Sequence, residues 1–441
     1  MVISMKLVKL LPILLLVSLL SGCFGKEPND MAYIVAIGVD EIEGNDNYKI
    51  TIQFARPTQI SGGASEEGGK GGAGIIENIS VEAPDLYSGI GIANTAVSKK
   101  FSLSHAKLIV FSKEIAEKGI EDIIDTLVRS DEARPDMYYA VALEGANNYL
   151  TEVKPVIELN PAKYYQLVYE KNNAGAIPQN TTENLYFEKN NSEIGSVMAL
   201  AGVIDMGDSG QSGEESSSGG DSEEKPSEEL SKENEKQKNA PLNEDGFEYR
   251  TRDYIAGEVS ISKKNKSETI GLAVFKNYKM VGILKSIDAE IYNMLSGLYK
   301  DSYTSFYSKE SPESPVTLKV NQERKPEIKV DIKNQTVNIT IFLEADLYSL
   351  SAEYILENNM GNFEAEVSQE ISKECVEFIK KAREEYDLDL LGIGNKAKMH
   401  FLTYRDFDDY KWGDKFKEYE INVDTKFKIR RTGLILRESK E

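Results

Sequence analysis

Residues 107–143 read KLIVFSKEIAEKGIEDIIDTLVRSDEARPDMYYAVAL. Lys107 to Phe111 carries a short apolar run that fits a buried strand. Ser112 follows as a helix cap, with Ile115 as an early apolar contact, and Gly119 interrupts. Ile120, Ile123, Ile124, Leu127 and Val128 line one side of a second helix. Met137 to Leu143 returns to strand. Strand, helical turns and strand in this order predict a crossover inside a domain that mixes both element types.

Upstream, Met31 to Val39 and Tyr48 to Phe54 read as strands joined through Gly44 and Asn45. Ser61 to Gly74 is glycine-rich and predicts a mobile loop. Ala83 to Val97 reads as helical despite Gly89 and Gly91, which allow close packing or a bend. Downstream, Tyr164 to Tyr169 is helical, an Asn-rich connector follows, and Val197 to Ile204 is apolar. Asp205 to Asp245 then holds 13 acidic residues and four lysines and lacks aromatics. It cannot bury enough surface to offset chain ordering, which predicts a disordered excursion. A cation-binding tract is the alternative, but the ligand spacing of a calcium loop is missing.

Ordered sequence resumes at Tyr254 to Ser262. Thr269 to Phe275 and Met280 to Leu284 flank a hairpin turn at Lys276 to Lys279, and Ala289 to Leu295 adds helical turns. Val316 to Val320, Glu327 to Ile332 and Thr336 to Leu343 continue as strands, the last with one wet face. Ile371 to Tyr386 is the longest helical pattern, with Ser368 as its expected cap and Cys375 on its apolar side. Tyr419 to Ile429 alternates as a strand, and Leu434 to Leu436 reads as a terminal edge.

At the front, Lys6 and Lys9 precede an apolar run from Leu10 to Leu20, then Ser21, Gly22 and Cys23. That order predicts an export signal, too short to remain as a helix across roughly 30 Å of hydrocarbon. Leu20-Ser21-Gly22-Cys23 resembles a bacterial lipobox, which implies acylation of the Cys23 sulfur and cleavage just before it. Two acyl chains hold a protein at a bilayer far better than one. An ordinary signal peptide with a chance cysteine is the plainer alternative. Loss of both lysines takes the formal charge from −21 to −23. Such a surface disfavours nucleic acid, which needs a positive footprint, and is repelled by anionic headgroups. A chain of 441 residues predicts two to four domains.

No catalytic, cofactor-binding or metal-binding residues are expected. His105 and His400 are the only histidines, and neither sits in a metal-ligand spacing. The sequence contains neither a GxSxG elbow nor a GxxxxGK[ST] phosphate loop. Cys375 reads as a buried thiol rather than a nucleophile. His105 is either a ligand or proton relay, or a residue that fixes the entrance of the following strand; the second is expected. Arg129, Asp131, Glu132, Arg134 and Asp136 form a polar cluster after the helix. It offers ion pairs that pin the turn, or a partner contact suited to arginine's planar head. His105, Lys107, Arg129 and Arg134 are therefore the candidates for structural or partner contacts, and Cys23 for lipidation.

Several segments converge on one resemblance. They are Leu20 to Cys23, Asn29-Asp30, Ile34 to Asp40, Ser104 to Ser112 and Glu114 with Ala116, then Gly119-Ile120, Leu127 to Arg129, and Asp131, Glu132, Arg134 and Pro135. Gly271 to Lys276 with Leu284, and Asp389 to Gly394, complete the set. The chain resembles the C-subunit lipoproteins of spore nutrient receptors, the Ger(x)C family. It departs at Phe24 to Pro28, where members often carry a tryptophan and a charged run, and in its long acidic excursion.

The resemblance implies a multidomain α+β ectodomain, mixed α/β and of three domains. The expected divisions are a signal peptide at 1–22, an N-terminal domain at 23–200, the excursion at 201–253, a middle domain at 254–310 and a C-terminal domain at 311–441. It further implies a lipid-anchored, non-enzymatic subunit on the outer face of the spore inner membrane. Its partners would be integral-membrane A and B subunits, and its task receptor assembly or signal passage during germination. Whether this subunit touches nutrient stays open. A solute-binding lipoprotein of a transporter is the alternative, and an envelope hydrolase a third.

Overall fold

The structure is a computed structural model that describes residues 30–55, 76–155, 157–158, 160–171, 194–204, 253–259, 265–308, 311–350 and 356–432. Cys23, the expected loop at 61–74, the Asn-rich connector, the acidic excursion and the terminal edge at 434–436 lie outside them.

The crossover of residues 107–143 forms as the sequence predicts. β5 (Leu108–Ser112) is buried along its whole length, as a strand covered on both faces must be. Its residues alternate, with Ile109 and Phe111 in one core and Leu108 and Val110 in the other. The Ser112 hydroxyl accepts the Ile115 N–H at 3.4 Å and starts α2 (Lys113–Lys118). Gly119 ends it with φ 131°, a conformation that favours glycine. α3 (Glu121–Val128) buries Ile123, Ile124 and Leu127. Val128, expected on the same side, is exposed because it ends the helix at the rim. β6 (Tyr138–Ala142) then pairs in parallel with β5.

Around this unit a nine-stranded sheet forms in the order β3-β2-β1-β5-β6-β7-β8-β9, with β4 (Lys100–Ser102) beside β1. β1 (Met31–Glu41) and β2 (Tyr48–Ala55) make the expected hairpin, and β3 (Ile76–Ala83) adds an edge. α1 (Leu86–Ala93) lies inside the expected helical stretch and packs with α2 and α3 on one face. Gly89 is there for space: a Cβ would stand 2.6 Å from Ile50 Cδ1. Gly91, read the same way, borders nothing within 4 Å. α4 (Ala146–Glu152) and α5 (Pro161–Lys171) cover the other face. α4 is held by β1, since Asp40 accepts the Ala146 and Asn147 N–H groups at 2.6 and 2.9 Å.

β7 (Ser196–Val203), β8 (Ser267–Lys276) and β9 (Lys279–Leu284) complete the sheet. The β8–β9 turn carries positive φ at Asn277 (50°) and Tyr278 (62°), the geometry that matches strand twist in tight hairpins. α6 (Ser286–Ser296) leads to a second sheet, β10 (Asp301–Ser308), β11 (Ser311–Asp331), β12 (Thr336–Leu350) and β13 (Glu420–Arg431). Val316–Val320 and the residues from Glu327, expected as separate strands, belong to the single β11, whose register shifts beside Pro326. Segment 254–310 thus divides between two sheets, and among the described residues it has no sheet of its own.

α7 (Leu356–Glu385) packs on the second sheet through Phe363, Val367, Ile371, Cys375 and Phe378. Ser368 does not cap it. It lies within the helix and donates its hydroxyl to Thr425 O at 2.7 Å. The helix begins earlier because its apolar stripe already runs through Phe363 and Val367, both buried. Val197, Leu272, Val274 and Leu284 of the first sheet share this core. Each large aliphatic side chain so buried contributes roughly 1.5–3 kcal/mol.

Candidate functional site

Three of the four polar candidates meet where β1 and β5 begin. Lys107 is fixed by its backbone: its N–H donates to Val35 O at 2.9 Å, and its carbonyl accepts Tyr138 N–H at 2.8 Å. Its ammonium donates to Asp136 Oδ2 at 2.6 Å. Arg134 forks onto the same carboxylate, at 2.8 Å to Oδ1 and 3.3 Å to Oδ2. Burial works to raise the Asp136 pKa, but Arg134 and Lys107 outweigh it and hold the carboxyl below its usual value.

His105 ends a short 3₁₀ turn (Leu103–His105) just before β5. Its ring centroid lies 4.3 Å from that of Tyr33, and Nδ1 is 3.1 Å from Ser104 Oγ. Partial burial, then the charges of Arg134 and Lys107, depress its pKa. The ring, tilted at 58° to Tyr33, sits as a wedge between the two strand starts.

Arg129 lies apart from this trio, at the end of α3. It lines a groove of about 540 Å³ between α1 and α3, with Tyr87, Ile90, Lys100, Phe101 and Glu132 among its walls. The Tyr87 hydroxyl donates to Ser130 Oγ. That oxygen also accepts the Glu132 and Ala133 N–H groups, each at 3.1 Å. The loop carrying Arg134 and Asp136 is thus tied to both helices. Tyr87 and Ser130 had no motif to mark them in the sequence.

A second polar constellation joins the two sheets. Asp387, with φ 56°, receives Lys276 of β8 at 3.0 Å and Lys417 at 2.5 Å. Those hydrogen bonds hold its carboxyl below the usual range. Two residues on, Asp389 is buried and its Oδ2 accepts Gly394 N–H at 2.6 Å and Trp412 Nε1–H at 3.3 Å. Burial raises its pKa despite these bonds. Gly394 must stay small because a Cβ would stand 2.8 Å from the Trp412 ring. The segments Gly271 to Lys276 and Asp389 to Gly394, singled out in the sequence, therefore meet at this joint.

Among the described residues, no group of three or more His, Cys, Asp or Glu is arranged to hold a metal ion. Among them too, no helix is long and apolar enough to cross a membrane. The polar constellations fix loops and join sheets, which suits support and recognition.

Two family matches together cover most of the chain. Residues 25–204 match the family "Spore germination protein N-terminal domain", and residues 270–433 match "Spore germination B3/ GerAC like, C-terminal". Spore germination protein KC of Bacillus subtilis (strain 168) is 29% identical over 157 residues, covering 35% of this chain and 38% of that protein. GerQC of Bacillus cereus is 24% identical over 178 residues, covering 40% of this chain and 48% of that protein. The matched stretches thus span less than half the length of these relatives. The crystal structure of the GerBC protein superposes with a TM-score of 0.50 at 14% identity, over 89% of this chain and 96% of that one, a likeness of fold. With both family matches in order along one chain, the protein belongs to the GerAC-like spore germination C-subunit family.

Proposed function

We propose that this protein is a lipid-anchored, non-enzymatic C subunit of a nutrient germinant receptor, acting in receptor assembly or signal passage. The observation that carries this reading is the pair of family matches at 25–204 and 270–433. The first falls on the nine-stranded sheet and the second on its last two strands together with the whole second sheet, and one apolar core joins the two sheets. Its anchor is an acylated Cys23, its place the outer face of the spore inner membrane, and its partners the integral-membrane A and B subunits. The lipobox order before Cys23 supports the anchor.

Two measurements test the reading. Deleting the gene is expected to abolish a nutrient response while spores still form; normal germination across a broad nutrient panel, with no second copy of the gene, defeats it. Cys23→Ser is expected to move the protein from the membrane fraction to the carbonate wash. Full retention of that variant removes the anchor.

A further inference from the structure

We propose that the groove between α1 and α3 is the docking site for an extramembrane loop of an integral-membrane partner subunit. The occupant is a polypeptide segment that seats an apolar side chain between charged neighbours. This rests on the anchored receptor-subunit reading above and adds to it which surface makes the contact.

Position comes first. β1, β5, β6 and β7 are parallel, so they all begin at one end of the sheet. β1 begins farthest out, where Met31–Tyr33 pair with Lys100–Ser102. From Cys23 to Met31 the chain spans at most roughly 29 Å when fully extended. Lys100, the strand neighbour of Met31, lines the groove. The opposite end of the sheet, at the turn after Glu41, lies a further eleven-residue strand away, roughly 35 Å. The anchor thus holds the groove end in the zone next to the bilayer.

Two kinds of surface occupy that zone, lipid headgroups and loops of membrane proteins. Charge separates them. The groove sets Lys100 and Arg129 against Asp131 and Glu132, and the chain as a whole carries −21. Headgroup docking needs a surplus of basic residues, which this groove lacks. A protein contact instead wants an apolar centre with a mixed rim, enriched in Tyr and Arg. Ile90, Phe101 and Leu103 supply the floor and Tyr87 and Arg129 the rim. Tyr87, on that rim, remains 38% exposed. Gly91 opens onto the groove, with nothing within 4 Å of a Cβ built there. Two residues earlier Gly89 has no such room. One glycine of α1 lets the helix pack; the other leaves the entrance clear.

The test uses the full chain in native spores, with benzoylphenylalanine placed at Lys100, exposed on the groove wall, or at Glu43, which is exposed in the turn at the far end of the sheet. Light is expected to link position 100, and not position 43, to an integral-membrane subunit identified by mass spectrometry. Gly91→Trp starts from a Cβ with open space around it, sets an indole at the groove and is expected to cut that product at least about tenfold. Membrane retention and melting temperature stay unchanged. The proposal is overturned by links from position 100 only to phospholipid or to residues 24–29 of the same chain. Equal labelling from position 43, or a Gly91→Trp variant that links as well as the parent, overturns it too. Carbonate extraction of the parent chain separates the two readings. A washed-off chain that still links to the membrane subunit upholds the groove and removes the anchor. A retained chain that does not link removes the groove alone.

Discussion

At the strand-entrance corner Asp136 is partly exposed and shared by Lys107 and Arg134. At the joint between sheets Asp389 is buried against Trp412 and Gly394, with no cation on it among the contacts described. The first carboxyl is pulled below its usual pKa and the second is raised by burial. Solvent screens the first site, so its many contacts contribute little. The second has few contacts, each in a dry place where a lost partner is costly. The joint holds the molecule together, and the corner shapes a surface.

Four variants break or sharpen that contrast. Trp412→Ala, at the joint, is expected to cost about 3–5 kcal/mol in urea unfolding followed by circular dichroism. A loss as small as that of the corner variants would erase the distinction. Asp389→Asn is expected to cost about 1–3 kcal/mol, since it puts donors where only acceptors are served. The pH dependence has a definite sign. A carboxyl whose folded pKa is raised contributes most below its unfolded value, near 3.8, and loses that contribution as pH rises through the folded value. The deficit of the Asn variant is therefore widest in acid and narrows with rising pH.

Lys107→Met, at the corner, is expected to cost no more than about 1 kcal/mol. Its pH dependence runs the other way. Asp136 is depressed, so the contribution is present above pH 3.8 and disappears as pH falls through the folded value. Parallel pH profiles for the two variants would contradict the assigned environments. His105→Gln is expected to stay within about 0.5 kcal/mol of the parent. Loss of germination in that folded variant would make His105 a functional contact rather than a wedge.

The core of the first sheet was legible because a strand buried on both faces leaves an unbroken apolar run, as in Leu108 to Phe111. Ser112 and Gly119 punctuate the helix that follows by local chemistry. The elements that escaped depend on distant partners. α4 starts at Ala146 because Asp40, more than a hundred residues earlier, accepts its N–H groups. Ser368 looks like a cap in isolation but bonds to Thr425 on another strand. β3 carries Glu77, Asn78, Ser80 and Glu82 among its apolar residues, as an edge strand can, which hides its period. Of the candidate site, the sequence marked the charged residues. It could not separate Arg129 from Arg134, because which way each faces is decided by the loop tied through Tyr87 and Ser130.

The return of β8 to the side of β7 has a practical outcome. Ile204 N–H bonds to Lys266 O at 2.9 Å, so the chain leaves and re-enters the sheet through one doorway. Loop-closure cost changes by only about 0.6 kcal/mol for each doubling of length. Halving the number of residues between Ile204 and Tyr254, with the bonds of Tyr254 to Ser286 and of Ala256 to Ile270 kept, is therefore expected to change that cost by only about 0.6 kcal/mol. A protease nick there would yield two fragments that stay clasped along the β7–β8 ladder, a natural split-protein pair.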